Sequence, residues 1–225
     1  MTPSAVLFSG GLDSAVLLAH ERVEHAPVWP IHVRAGLAWE DAEARAIAGL
    51  LAEAPFAGRV EPAHTLALDM RDVYPASHWA VRGTPPAYDT PDEDVYLEGR
   101  NLVLVAKAAV LCARLGVERL ALGPLAGNPF PDATPEFFQT LARTVSLGLA
   151  RPFHIATPLS TMHKEDVIKL GASLGVPLER TMSCMNPASS GAHCGQCSKC
   201  RERQDGFRLA GVVDKTAYVT RAYST

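Results

Sequence analysis

Two groups of residues have the types and spacing to do chemistry. The first is Ser9-Gly10-Gly11-Leu12-Asp13-Ser14, set between the apolar run "AVLF" (5–8) and a second apolar run that begins at Ala15. Glycines let a backbone come close to an anion, and the N–H groups that open a helix point at it with a favourable dipole. The Ser9 and Ser14 hydroxyls can add hydrogen bonds. A bare carboxylate beside phosphate is repulsive, so Asp13 makes sense where a magnesium ion lies between the two. The plain alternative is a tight turn in which Asp13 or Ser14 caps the helix. The stretch lacks the lysine of a Walker loop and the three-glycine spacing of a dinucleotide fingerprint.

The second group is Cys184, Cys194, Cys197 and Cys200, a C-x9-C-x2-C-x2-C pattern. Two overlapping C-x2-C units aim three thiolates at one point, and Cys184 can close a tetrahedron around a structural zinc ion. An iron–sulfur cluster is the alternative, because four thiolates suit it too. His193 is a possible substitute ligand, although four sulfurs already fill the shell. The fifth cysteine, Cys112, lies in an apolar helical stretch and reads as a small core side chain.

Other candidates are less self-sufficient. Arg100 could hold a phosphate or carboxylate in a bidentate fork, and Asn101 could cap the helix that follows Gly99. Lys164, at the start of its own helical stretch, could neutralise phosphate charge. His163 beside it reads as a surface residue.

These residues need elements to position them. "AVLF", "VWPIHV" (28–33), "TLALDM" (65–70) and "RLALG" (119–123) read as short buried strands. Amphipathic stretches at 14–24, 38–54, 101–115 and 162–174 read as helices. The alternation predicts an α/β protein with an open parallel sheet flanked by helices, whose ligands bind beyond the carboxyl ends of the strands. Residues 71–99, rich in proline, are either disordered or a functional lid, and 124–137 form a second irregular stretch. The expected organisation is a nucleotide-binding unit over 1–178 with a small zinc-binding C-terminal region, 179–225, packed on it.

The chain has 225 residues, 48% hydrophobic and 20% charged, with a formal net charge of −3. No global basic field favours nucleic acid. No apolar run reaches the ~20 residues that span a bilayer, and the N-terminus lacks a signal-peptide pattern. The expected setting is cytoplasmic and reducing, where crowded cysteines bind metal.

Together the motifs resemble a known family. "SGGLDS" is similar to the signature of N-type ATP pyrophosphatases, which have a Rossmann-like, adenine-nucleotide alpha hydrolase-like fold. "GRNLVLVAKAAVLCARLGVERLALG", "PDATPEFFQTL", "TPLSTMHKEDVIKLGASLGVP" and "SCMNPASSGAHCGQCSKCRERQDGF" resemble, in the same order, the 7-cyano-7-deazaguanine synthase family of queuosine biosynthesis. That resemblance implies an ATP-dependent ligase using magnesium and ammonia. Such an enzyme converts 7-carboxy-7-deazaguanine through an acyl-adenylate to the amide, and through a second adenylation to the nitrile. It implies Ser9, Gly10, Gly11, Asp13, Ser14, Asn101 and Gly123 as the nucleotide set, with Asp13, Ser14, Arg100 and Lys164 serving catalysis. It also implies zinc on the four cysteines and a homodimer. The chain departs from the family pattern at "HVRAGLAWE" (32–40) and "PLAGNPF" (124–130), both expected to face the substrate. Other readings are a related pyrophosphatase acting on a different carboxylate or a tRNA base, and an inactive nucleotide-binding zinc module.

Overall fold

The computed structural model describes residues 1–222. Five parallel strands, β1 (Ser4–Leu7), β2 (Val28–Arg34), β3 (His64–Ala67), β4 (Arg119–Ala121) and β5 (His154–Ala156), form one sheet in the order β3-β2-β1-β4-β5. The order reverses beside β1, so a crevice opens between the carboxyl ends of β1 and β4. Seven helices complete the described residues: α1 (Leu12–Glu24), α2 (Glu40–Leu51), α3 (Trp79–Arg82), α4 (Arg100–Leu115), α5 (Pro135–Leu149), α6 (Lys164–Ser173) and α7 (Ser198–Ala210).

Strand alternation divides the core. Val6, Val28 and Ala121 face one layer, where they pack with Val16 and Leu17 of α1, Ile168 of α6 and Phe207 of α7. Ala5, Ile31 and Leu120 face the other, against α4 and α5. Both faces are covered, which is why the strands read as continuous apolar runs. A third cluster lies at the carboxyl edge, joining Leu37, Trp39, Tyr74, Val95 and Leu97 to Met182 and the cysteines. The 71–99 stretch is therefore packed: it carries α3 and a 3-10 turn at Asp92–Val95. The α7 guanidinium of Arg201 pins it, donating to the Tyr88 and Thr90 carbonyls and to Asp92. Among the described residues no helix is long and apolar enough to cross a membrane.

Several expectations need correcting. β5, α5 and α7 have no counterpart among the expected elements, and 124–137 includes the first turn of α5. Asn101 is not the cap of α4. Gly99 holds that position with φ 71°, and the Asp132 carboxylate accepts from the Asn101 N–H at 2.9 Å.

One interaction locks the edge opposite the crevice. Glu21 of α1 is fully buried and accepts from Ser4 Oγ at 2.6 Å and from Arg119 Nε and Nη2 at 3.0 and 2.9 Å. Burial alone would raise its carboxyl, but the Arg119 and Ser4 bonds hold it below its ordinary value of 4.5. Stability from this group is complete above pH 4.5 and is lost as pH falls through the lowered folded-state value. Glu21→Ala should cost about 3–5 kcal/mol in denaturant unfolding at neutral pH, because Arg119 loses its carboxylate. Glu21→Gln should remove this group's part of the acid dependence.

Candidate active site

The Ser9–Ser14 loop turns at Gly10, whose φ is +74°. A Cβ there would lie 3.0 Å from Ile47 Cγ1 and 3.2 Å from the Glu43 carbonyl, so glycine lets the loop pass against α2. The Ser9 hydroxyl accepts from Gly11 N–H at 3.3 Å, and Ser14 Oγ donates to the Gly11 carbonyl at 3.0 Å. Met182 N–H donates to the Gly10 carbonyl, tying the loop to the segment before the cysteines. Neither Asp13 nor Ser14 caps α1, because Gly11 occupies the N-cap. The opening N–H groups of Leu12, Asp13 and Ser14 have no partner within the helix.

Asp13 instead faces Lys164 across the crevice. The Lys164 ammonium donates to both Asp13 oxygens at 2.8 and 2.7 Å and lies 2.6 Å from Glu202 Oε1. Lys199 pairs with the other Glu202 oxygen at 2.7 Å. Burial alone would lower the Lys164 pKa, but the two carboxylates more than offset it and keep the ammonium charged. Burial would likewise raise Glu202, and its two lysines hold it ionised. The approach of α7 to α6 needs Gly206, where a Cβ would sit 2.4 Å from Lys164 Cγ.

Three adjoining cavities share Asp13 in their walls. The first, about 280 Å³, lies at the carboxyl ends of β1, β2 and β4 and is lined by Ser9, Gly11, Ser14, Arg100, Asn101 and Gly123. Arg100 Nε is buried without a hydrogen-bond partner, so the guanidinium retains donor capacity for an anion. The Asn101 amide donates to the Asp132 carbonyl at 3.0 Å, which ties the "PD" segment to α4. The second cavity reaches Lys164, His163 and Lys199, and the third adds Trp39, Trp79 and Met182. His163 is exposed on its rim. The structure thus brings Ser9, Gly11, Asp13, Ser14, Arg100, Asn101, Gly123 and Lys164 around one crevice, whereas Gly10 lines none of the three cavities and packs against α2.

Several ionisable lining residues were not singled out in the sequence, among them His32, Glu43, Lys199 and Glu202. His32 Nε2 and Glu43 Oε2 form a buried pair at 3.3 Å in the first cavity. His32 stands near the carboxyl end of β2, where the parallel-sheet rule alone could have singled it out. Lys199 and Glu202 were hidden by the cysteines around them.

The cysteine sulfurs of residues 184, 194, 197 and 200 all lie within 4.8 Å of one another. Neighbouring pairs are 3.4, 3.8 and 3.5 Å apart. A tetrahedral ion with metal–sulfur bonds of about 2.3 Å needs sulfurs about 3.8 Å apart, so the cluster fits one metal ion. Backbone N–H groups of Asn186, Cys194, Gly195 and Gln196 donate to these sulfurs, the pattern of support that metal ligands require. His193 is not a ligand. Its Nε2 accepts from Ser183 N–H at 3.1 Å, and burial together with Arg203 lowers its pKa to about 3. Arg203 is itself fully enclosed, donating to the Thr181, Ser183 and Thr216 hydroxyls and to the Leu178 carbonyl.

Residues 4–211 match the profile of a family described as "Queuosine biosynthesis protein QueC". The 7-cyano-7-deazaguanine synthase of Magnetococcus marinus is 31% identical over 226 residues, covering 96% of each chain. That of Methanothrix thermoacetophila is 33% identical over 229 residues, covering 97% of this chain and 99% of the relative. Among solved structures, the fold is shared with a predicted subunit of a tRNA methyltransferase from Methanocaldococcus jannaschii. That match has a TM-score of 0.50 at 17% identity and covers 76% of this chain and 75% of that one. A 4-thiouridine synthetase–RNA complex with bound ATP also gives a TM-score of 0.50, at 15% identity over 93% of this chain and 52% of that one.

The geometry predicts that Cys200→Ser reduces bound metal from one equivalent towards none by elemental analysis. Its unfolding midpoint should drop by about 10 °C or more, the shift that about 3–5 kcal/mol produces in a chain of this size.

Proposed function

The chain belongs to the QueC family of queuosine biosynthesis proteins, and on that premise we propose that it is an ATP-dependent ligase. It adenylates 7-carboxy-7-deazaguanine and uses ammonia to make first the amide and then the nitrile, 7-cyano-7-deazaguanine. One observation carries the reading: the glycine loop, the helix start and the unpartnered Arg100 Nε converge on one cavity at the sheet's switch point.

In this reading ATP occupies the first cavity. Ser9, Gly10, Gly11 and Ser14 hold its phosphates through hydroxyls and helix-start N–H groups, while Asn101 and Gly123 border it. Asp13 is the carboxylate that would hold a magnesium ion, and that ion would supply charge neutralisation for the phosphates. Arg100 and Lys164 spread further positive charge over the reacting groups. The substrate carboxylate attacks the α-phosphorus and pyrophosphate leaves. Ammonia then adds to the acyl carbon and AMP leaves with the carboxylate oxygen, giving the amide. The amide oxygen then attacks the α-phosphorus of a second ATP, releasing a second pyrophosphate, and loss of AMP from carbon and of protons from nitrogen leaves the nitrile. No side chain acts as a nucleophile, so catalysis is orientation plus electrostatic complementarity.

The four-cysteine site suits zinc, because a multi-iron cluster interposes sulfides and spreads its cysteines more widely than 4.8 Å. Zinc would hold the 179–225 region against the 1–178 unit, with Phe207 already sharing the main core. A reduced, cytoplasmic setting and a homodimer complete the reading. A sulfur-transferring role on tRNA is disfavoured. It needs a reactive unliganded cysteine, and burial pushes the remaining Cys112 up to about 12.

Incubation with ATP, magnesium, ammonium and 7-carboxy-7-deazaguanine should yield AMP, pyrophosphate and the nitrile by mass spectrometry. Absence of all three from folded, metal-replete protein overturns the reading. Asp13→Ala should lower kcat/KM by about 10²–10³-fold or more. Its unfolding midpoint should stay within a few degrees of the parent, since Glu202 still neutralises Lys164.

A further inference from the structure

We propose that the cavity walled by Trp39, Trp79 and Met182 is the acid subsite, and that Lys199 holds the substrate's carboxylate in it. This rests on the adenylating function proposed above and says where its second substrate lies. The first cavity accounts for the nucleotide. A carboxylate that is to reach the α-phosphorus must come to the Asp13 loop from another side, and the third cavity opens there, sharing Ser9, Gly11, Asp13 and Arg100 with the first.

Its walls suit a flat ring. Trp39 and Trp79 stack with centroids 5.8 Å apart and planes at 15°, and Val95, Leu97 and Met185 continue the apolar lining. Planar faces of this kind hold a heteroaromatic ring by offset stacking and area burial. Glu43, common to the first and third cavities, offers a carboxylate to ring N–H donors.

With Arg100 assigned to the nucleotide side it shares with the first cavity, Lys199 is the cation left to meet the acid. Lys164 is engaged on both sides, by Asp13 and by Glu202. The Lys199 ammonium has three donors and makes one bond, to Glu202 Oε2. It lines the second and third cavities. It also lies between Cys197 and Cys200 in the first turn of α7, so the metal cluster sets its position. Glu202 is then a positioning residue. It orients Lys199, and it keeps Lys164 in place once magnesium engages Asp13.

The test uses full-length, metal-replete protein with Lys199→Gln, Lys199→Arg and Glu202→Gln, each checked for metal content and unfolding midpoint. Lys199→Gln should raise KM for the acid by about 10- to 100-fold, the range of one charge-assisted hydrogen bond. KM for ATP should stay within about twofold, and Lys199→Arg should recover most of the loss. Glu202→Gln should move the acid KM in the same direction by less. Tryptophan fluorescence titration with 7-carboxy-7-deazaguanine and with 7-deazaguanine should show a preference for the carboxylate that Lys199→Gln abolishes. An unchanged acid KM, or an ATP KM that rises with it, overturns the assignment. If the parent protein turns over no acid, the proposed function fails, and a panel of planar heteroaromatic carboxylates and their decarboxylated counterparts judges the subsite by binding alone. A carboxylate preference dependent on Lys199 supports it, and no binding, or equal binding of both forms, overturns it.

Discussion

Enclosing an ammonium costs several kcal/mol unless carboxylates meet it. Lys164 is met by two, from different elements. Asp13 comes from the first turn of α1, and Glu202 from α7 beyond the cysteines. The charge therefore draws α1, α6 and α7 to one point, and Gly206 removes the side chain that would keep α7 away. This contact joins the glycine loop, the helix behind it and the cysteine-bearing region at one point. Their apolar faces follow, with Phe207, Ile168 and Val16 in one cluster.

The same contact accounts for a carboxylate in a loop proposed to hold phosphate. In the proposed reading Asp13 always has a cation opposite it, first the lysine and then a metal ion brought with the nucleotide. The carboxylate is never left facing phosphate unscreened. Glu202 makes that exchange tolerable, because Lys164 keeps one partner when the other is taken. Charges alternate from Asp13 through Lys164 and Glu202 to Lys199, so each of these four groups faces one of opposite sign.

Much of this was legible in the sequence because it is local. The loop chemistry depends on six consecutive residues, and the cysteine pattern on turns of two and nine. The parallel sheet follows from apolar runs alternating with amphipathic ones. β5 escaped because it is three residues long and only partly covered, without a run to mark it. α7 escaped because its first turn carries Cys200 and follows Cys197, residues that read as part of a cysteine cluster rather than as a helix start. α5 carried a readable signal, since Thr134 and Pro135 are a capping residue and a first-turn proline, and the Thr134 hydroxyl does accept from Phe137 N–H. Lys199, Glu202 and the Trp39–Trp79 pair were illegible for a different reason. Lys199 and Glu202 are neighbours on α7, but Lys164, Asp13 and the two tryptophans are distant from them in the chain, and only the packing of three loops at the carboxyl edge brings them to one cavity.

Arg201 gives that packing a further meaning. From one side chain it grips the Tyr88 and Thr90 carbonyls and Asp92, and it stands next to Cys200 of the four-cysteine cluster. The 84–95 stretch is therefore suspended from α7, and it is not a flap hinged at its own ends. For anyone redesigning the specificity of this scaffold, the insert and the start of α7 form a single exchangeable cassette. Grafting a new insert without matching acceptors for Arg201 would leave the transplanted wall unanchored and a guanidinium stranded beneath it.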